Sequence, residues 1–161
     1  MAWKGEDCNV RYRATDLGTL GGGHDEGTEV NDRGDVTGWG YLPTGEQHAF
    51  RWTRQGGMQD LGTLGTGSSG SSINNRGQVV GYDVGKDGEY RSFIWTPEGG
   101  MRELDESIGL LPDINDRSEV VTAFTISTGD YRAGIWRPNN HVQLLGTLGS
   151  GSSAAGINSR G

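Results

Sequence analysis

The stretch Ile73-Asn74-Asn75-Arg76-Gly77-Gln78-Val79-Val80-Gly81 decides how this chain is read. Small residues and an isoleucine lead into Asn-Asn-Arg-Gly, and an apolar β-branched run follows. An asparagine side chain bonds the backbone two residues on, and glycine accepts positive φ without a Cβ clash. The stretch therefore predicts two short antiparallel strands joined by a type I turn that closes in a G1 bulge. The block returns as Val30-Asn31-Asp32-Arg33-Gly34, as Ile114-Asn115-Asp116-Arg117-Ser118 and as Ile157-Asn158-Ser159-Arg160-Gly161. Its asparagines are 43, 41 and 43 residues apart. Ser118 stands where the other copies have glycine, so an altered or strained turn is expected there, at a cost on the order of 1 kcal/mol.

Two further landmarks keep the same period. Asp16-Leu17-Gly18-Thr19-Leu20-Gly21 recurs as Asp60 to Gly65 and as Leu144 to Gly149, with Glu103-Leu104-Asp105 in the third copy. Phe50-Arg51-Trp52 recurs as Phe93-Ile94-Trp95 and Gly134-Ile135-Trp136. A repeat of about 42 residues is one supersecondary unit stacked on its neighbours. Each unit resolves into four strands: a, ending in Val/Ile-Asn; b, such as Gln78 to Tyr82; c, such as Ser92 to Thr96; and d, such as Met101 to Leu104. Glycine pairs (Gly56-Gly57, Gly99-Gly100) and Asn139-Asn140 close the c–d hairpins.

The expected fold class is all-β and β-propeller-like, with four short antiparallel strands per repeat and about four blades. Residues 1–161 form one repeat domain. Its parts are N-terminal closing strands at 1–17, repeats at about 17–60, 61–103 and 104–144, and a partial repeat at 145–161. Strand a near Ala155 to Asn158, with Ala2-Trp3 as strand c and Tyr12 to Leu17 as strand d, would make a composite closing blade that lacks strand b. A fragment of a longer propeller and a ring shared by two chains are the alternatives, and a homodimer through the open strand edge is one form of the second. A β-solenoid is disfavoured, because its coils are usually shorter.

Composition narrows the function classes. Thirty glycines and 32% hydrophobic residues are unusual for a globular chain, yet the apolar residues fall in short runs, as strands require. The net charge is −7 and no basic block occurs, which argues against nucleic acid. No apolar run approaches a membrane span, and the N-terminus shows no apolar signal core. The single cysteine, Cys8, has no internal disulfide partner.

Candidate chemistry is sparse. Asp16 and Asp60 read as strand-end residues bonding turn amides rather than as an acid–base pair. The segment Asp83 to Glu89 is oxygen-rich but lacks the ligand alternation of a calcium loop. His24, His48 and His141 occupy different repeat positions and show no zinc spacing. No metal or cofactor is expected. Trp52, Trp95 and Trp136 share one strand position, as core residues would; Trp39 and Tyr82 are better candidates for aromatic surface, with packing still the favoured reading.

His48-Ala49-Phe50-Arg51-Trp52, Asp-Leu-Gly-Thr-Leu-Gly and Ile73 to Gly81 together resemble the HAF family of probable extracellular repeats. The resemblance covers about Asp16 to Gly161, although His-Ala-Phe occurs once and the third copy has Leu110-Leu111-Pro112. It implies a secreted or cell-surface location and no assigned activity. Propeller ligands usually meet loops at one face, so the d–a loops are the expected site. The candidates are His24, Asp25 and Glu26, then Ser68 and Ser69, then Leu110 and Leu111, and finally Ser152 and Ser153. The expected function is a binding module for a glycan, peptide or protein. A structural or self-assembling scaffold is the alternative. An enzyme, a hydrolase or lyase with acids at a channel mouth, is the third reading.

Overall fold

The computed structural model describes residues 13–104, 111–139, 141–149 and 151–159. Among these, twelve strands form three four-stranded antiparallel sheets, and there is no helix. The first sheet is β1 (Asp25–Val30), β2 (Val36–Tyr41), β3 (Gln47–Thr53) and β4 (Gly57–Asp60). The second is β5 (Gly67–Ile73), β6 (Val79–Val84), β7 (Tyr90–Thr96) and β8 (Gly100–Glu103). The third is β9 (Asp113–Ile114), β10 (Val120–Thr125), β11 (Tyr131–Arg137) and β12 (His141–Leu144). Each sheet is a meander in chain order, so every repeat folds from local hairpins. A closed ring is not seen among the described residues. Residues 13–17 carry no strand, which corrects the placement of strand d at Tyr12 to Leu17, and Ala2-Trp3 and Cys8 lie outside the described residues.

Each a–b turn is built as its residues dictate. Asn74 Oδ1 accepts the amides of Arg76 (3.0 Å) and Gln78 (3.0 Å), and Asn31 and Asn115 do the same in their turns. Gly34 and Gly77 take φ of 80° and 73° at the turn end. Ser118 holds the same place at φ 62°, the one non-glycine at positive φ among the described residues. The turn is thus strained but not altered. Ser118 Oγ donates to Gln78 Oε1 of the neighbouring repeat at 2.6 Å, which offsets the backbone cost.

The turns also join the repeats. Asn31 Nδ2 donates to the Asn74 carbonyl (2.8 Å), Asn74 Nδ2 to that of Asn115 (3.0 Å), and Asn115 Nδ2 to that of Asn158 (3.2 Å). Beside this ladder, Asp32 N donates to Asn75 Oδ1 and Asn75 N to Asp116 Oδ1. Asn75 Nδ2 bridges the carboxylates of Asp32 and Asp116. Glu29 accepts the Ile73 amide and Asp113 the Ile157 amide, each from the repeat that follows. Residues 151–159 are held on the third sheet by these bonds and by Ser152 N to the Tyr131 carbonyl, just as β5 lies on the first sheet.

Apolar residues fill the spaces between sheets. Ile73, Val79, Phe93 and Trp95 meet Ala49 and Leu61 of the first repeat. Val80, Ile94 and Leu104 meet Ile114, Val120, Phe124 and Trp136 of the third. The three recurring tryptophans are 3–9% exposed, so they are core residues. Strand b thus alternates: Val79 faces the preceding sheet and Val80 the following one, the period of two that a strand buried on both faces requires.

One glycine position controls how far strand a can pair. A Cβ on Gly38 would lie 1.9 Å from the Glu26 carbonyl oxygen, and one on Gly81 1.9 Å from that of Ser69. Strand a bulges at this level, between Gly27 and Glu29 and between Gly70 and Ser72. The third repeat has Thr122 at the equivalent place. Its β9 pairs with β10 only at Ile114↔Val120 and Asp113↔Val121, below the threonine, and Pro112 follows the same edge without an N–H to give.

Two outcomes test this reading. Ser118→Gly should unfold within about 0.5 kcal/mol of the wild type in denaturant, since relief of strain and loss of one hydrogen bond nearly cancel. Ser118→Ala, which keeps the strain and loses the bond, should cost about 1 kcal/mol. The carboxyl of Asp116 is held below its ordinary range by the Asn75 side chain and amide, and that of Glu119 by Asn115 and then Arg137. Depressed carboxyls contribute stability above the unfolded value, about 4, and lose it as pH falls through the folded one. The melting temperature should therefore be flat from pH 7 to about 5 and fall below about 4. Asp116→Asn should remove part of that fall.

Candidate functional site

Among the described residues, a cleft of 820 Å³ lies between the second and third repeats and the docked C-terminal segment, within the usual range for ligand sites. Thr122 and Ala123 of β10 line it, with Tyr90 from β7, Tyr131 from β11, Leu111 before β9, and Ser152 to Ala155 of the docked C-terminal segment. Tyr90 and Tyr131 occupy one structural position, the first residue of strand c, paired with Val84 and Thr125. The first repeat has Gln47 there, and its side-chain amide lies 3.4 Å from the Ser68 carbonyl, on the covering strand β5. In the later repeats the tyrosines stay 49% and 53% exposed, and Leu111 is 73% exposed.

The Tyr90 ring is not loosely hung. Tyr82 of β6 meets Tyr90 edge-on, with centroids 5.6 Å apart. Arg91, the next residue, holds the hairpin by a bidentate bond to Asp87 and by Nε to Glu103 at 3.3 Å. Asp87 is accordingly held well below the ordinary carboxyl range, chiefly by Arg91. Glu89 lines the cleft next to Tyr90.

The expected site residues divide. Leu111, Ser152 and Ser153 come together at this cleft. Leu110 lies outside the described residues. Ser68 and Ser69 are not loop residues: both sit within β5, 1% and 4% exposed. Ser68 Oγ donates to the Gly62 carbonyl (2.6 Å) and accepts the Ala49 amide (2.8 Å), so its hydroxyl joins two repeats. The loop expected at 66–70 is a strand because the small residues there fit beneath the preceding sheet. Ser152 Oγ makes the matching bond from the Ala133 amide. His24 packs tilted against Trp39, with ring centroids 5.2 Å apart, and Trp39 meets Tyr41 edge-on. Asp25 and Glu26 begin β1, away from the cleft. Asp25 accepts Thr19 Oγ1 and the Leu20 amide, while Glu26 is exposed.

The recurring polar residues are taken up by folding. Asp16 and Asp60 accept the amides of Gly18 and Gly62, as strand-end residues should. Thr63 Oγ1 accepts the Gly65 amide and donates to Asp83, whose carboxylate also takes the Leu64 amide. Asp83 is buried within β6, not presented on a loop. His48 Nδ1 lies 2.8 Å from the Asp60 carboxylate, and the equivalent pair in the second repeat is Arg91 with Glu103. The third repeat has Leu144 in place of the acid, and Arg132 turns instead to Asp130 at 3.9 Å. None of these carboxylates is matched to a second one for acid–base work.

A smaller cavity of 210 Å³ lies where the turns of all four repeats meet, lined by Asn31, Asn74, Asn115 and their neighbours. The ladder already uses the polar groups of its walls. The tyrosine cleft was missed in the sequence because its signal is a pair of unremarkable residues, Tyr90 and Tyr131, that line up only when the hairpins are superposed. No protein-family model matches the chain, and no curated protein matches it.

Proposed function

We propose that this chain is a β-repeat binding module that takes a glycan in the cleft between its second and third repeats. The observation that carries the reading is the equivalent, half-exposed placement of Tyr90 and Tyr131 at one cleft. An aromatic face is electron-rich and meets the C–H face of a sugar ring favourably, and a tyrosine gives up little conformational freedom in doing so. Ser152, Ser153 and Glu89 line the same cleft and would supply polar groups to ring hydroxyls. The resemblance to the HAF repeats supports a surface or secreted location. A propeller in which residues 151–159 open a further blade fits the repeated docking, and a second chain joining at that segment is its oligomeric variant. No helix among the described residues is long and apolar enough to cross a membrane.

A scaffold without a small ligand is the second reading, favoured by the use of nearly every recurring polar side chain in the fold. A glycan array followed by calorimetry on the hits separates the two. The wild type should bind at least one glycan. Tyr90→Ala with Tyr131→Ala should weaken that binding more than tenfold while the melting temperature stays within a few degrees. A chain that binds no glycan, or binds one equally well without both tyrosines, would remove the cleft from the account, and binding of a peptide instead would replace the ligand class.

A further inference from the structure

We infer that the tyrosine cleft takes a chain of N-acetylhexosamine units without acidic groups, an inference that rests on the glycan reading of that cleft and names which sugars it selects. Charge comes first. The cleft is lined by Glu89 and by no lysine, arginine or histidine among the described residues. Residues 105–110 and 150, outside the described residues, contain no lysine, arginine or histidine either. Arg91 and Arg132 each follow one of the two tyrosines in strand c. Successive side chains leave opposite faces of a strand, and neither arginine lines the cleft. Both are also engaged. Arg91 is held by Asp87 and, through Nε, by Glu103 at 3.3 Å. Arg132 donates to the Tyr131 carbonyl at 2.9 Å and stands 3.9 Å from Asp130. A uronate or sulfated sugar would therefore give up water beside Glu89 with no cation to receive it, a cost that a neutral sugar does not meet.

The acetamido group follows from what else the cleft presents. Leu111 is 73% exposed there, although large apolar side chains elsewhere in the repeats pack into the two cores. Ala123, Ala154 and Ala155 line the same cleft, so this part of its surface has no side-chain donor or acceptor. Ring hydroxyls pressed against it would lose water and gain no bond in return. A methyl group gains by the same transfer, and the acetamido methyl is the apolar group such a sugar carries. The polar half of that group has a partner too. Ser152 Oγ accepts the Ala133 amide at 3.0 Å, which leaves its O–H to donate to the acetamido carbonyl. Tyr90 and Tyr131 then take the sugar rings, Leu111 and the alanines the methyl, and Glu89 turns away acidic chains.

Calorimetry on the full chain with three matched probes tests this. Chitohexaose and cellohexaose differ only in the acetamido group, and the third probe is cellohexaose oxidised to carboxylates at its primary alcohols. The wild type should bind chitohexaose about fivefold or more tighter than cellohexaose, since one buried methyl and one hydrogen bond separate them. The carboxylated probe should bind weakest. Leu111→Ser should bring chitohexaose to within roughly twofold of cellohexaose at unchanged melting temperature, because the leucine is exposed. Glu89→Lys should admit the carboxylated probe. Equal binding of the two neutral hexamers, a preference for the carboxylated one, or an acetamido preference kept in Leu111→Ser would each overturn the inference. So would exclusion of the carboxylated probe that persists in Glu89→Lys. The glycan reading of the cleft survives those results as long as Tyr90→Ala with Tyr131→Ala still abolishes binding of whichever glycan does bind. If no glycan on the array binds the wild type, both fall.

Discussion

Each a–b turn asparagine holds two things at once. Its Oδ1 closes its own turn, and its Nδ2 reaches the carbonyl of the equivalent asparagine one repeat later. The second bond fixes how successive sheets sit on one another. Asn74 and Asn115 are 4% exposed, so losing either side chain would leave backbone groups unpaired away from water, a cost of about 1–3 kcal/mol for each group. Everything else follows from that register. With the turns clamped, Val79 and Phe93 meet Ala49, and Val80 and Ile94 meet Ile114, so one strand serves two cores. A four-stranded sheet of this size buries too little on its own, and stability in such arrays is shared between neighbours.

The fold was legible in the sequence to the extent that it is local. Hairpin chemistry is written in single residues: Asn and Gly at the a–b turn, paired glycines at the c–d turn, and tryptophan at one place on strand c. The strands lie where those signals put them, to within two or three residues at most ends. Strand a was the exception. Gly67-Ser68-Ser69-Gly70 reads as a flexible loop because nothing in its composition favours a strand, and it becomes one because only small residues fit beneath β2 and β3. That is a tertiary effect, invisible to a pattern of polarity. The asparagine ladder was invisible for the same reason, although its residues stood out.

The third repeat shows how a site can arise from a lapse in the pattern. Thr122 stands where glycine lets strand a approach, the bulged pairing cannot continue past it, and β9 is left with two residues. Among the described residues, a cleft lies beside it, between the second and third repeats. Leu111 and Ser152 were among the expected residues because they sit in the d–a connections. Tyr90 and Tyr131 were not, because a tyrosine beginning a strand is ordinary until the hairpins are superposed. The fold is thus carried by what recurs, and the candidate site by what departs.

Side chains at the a–b turns couple each repeat to the next. Hydrogen exchange at four amides tests it most directly. Those of Asp32, Ile73, Asn75 and Ile157 are each held by a side chain of a neighbouring repeat, at 3.0, 2.9, 2.7 and 2.8 Å. They should exchange as slowly as the amides between β6 and β7, through the same cooperative opening. Exchange at the rate of free loop amides, with the hairpin amides still protected, would mean that the repeats fold singly and the ladder does not join them.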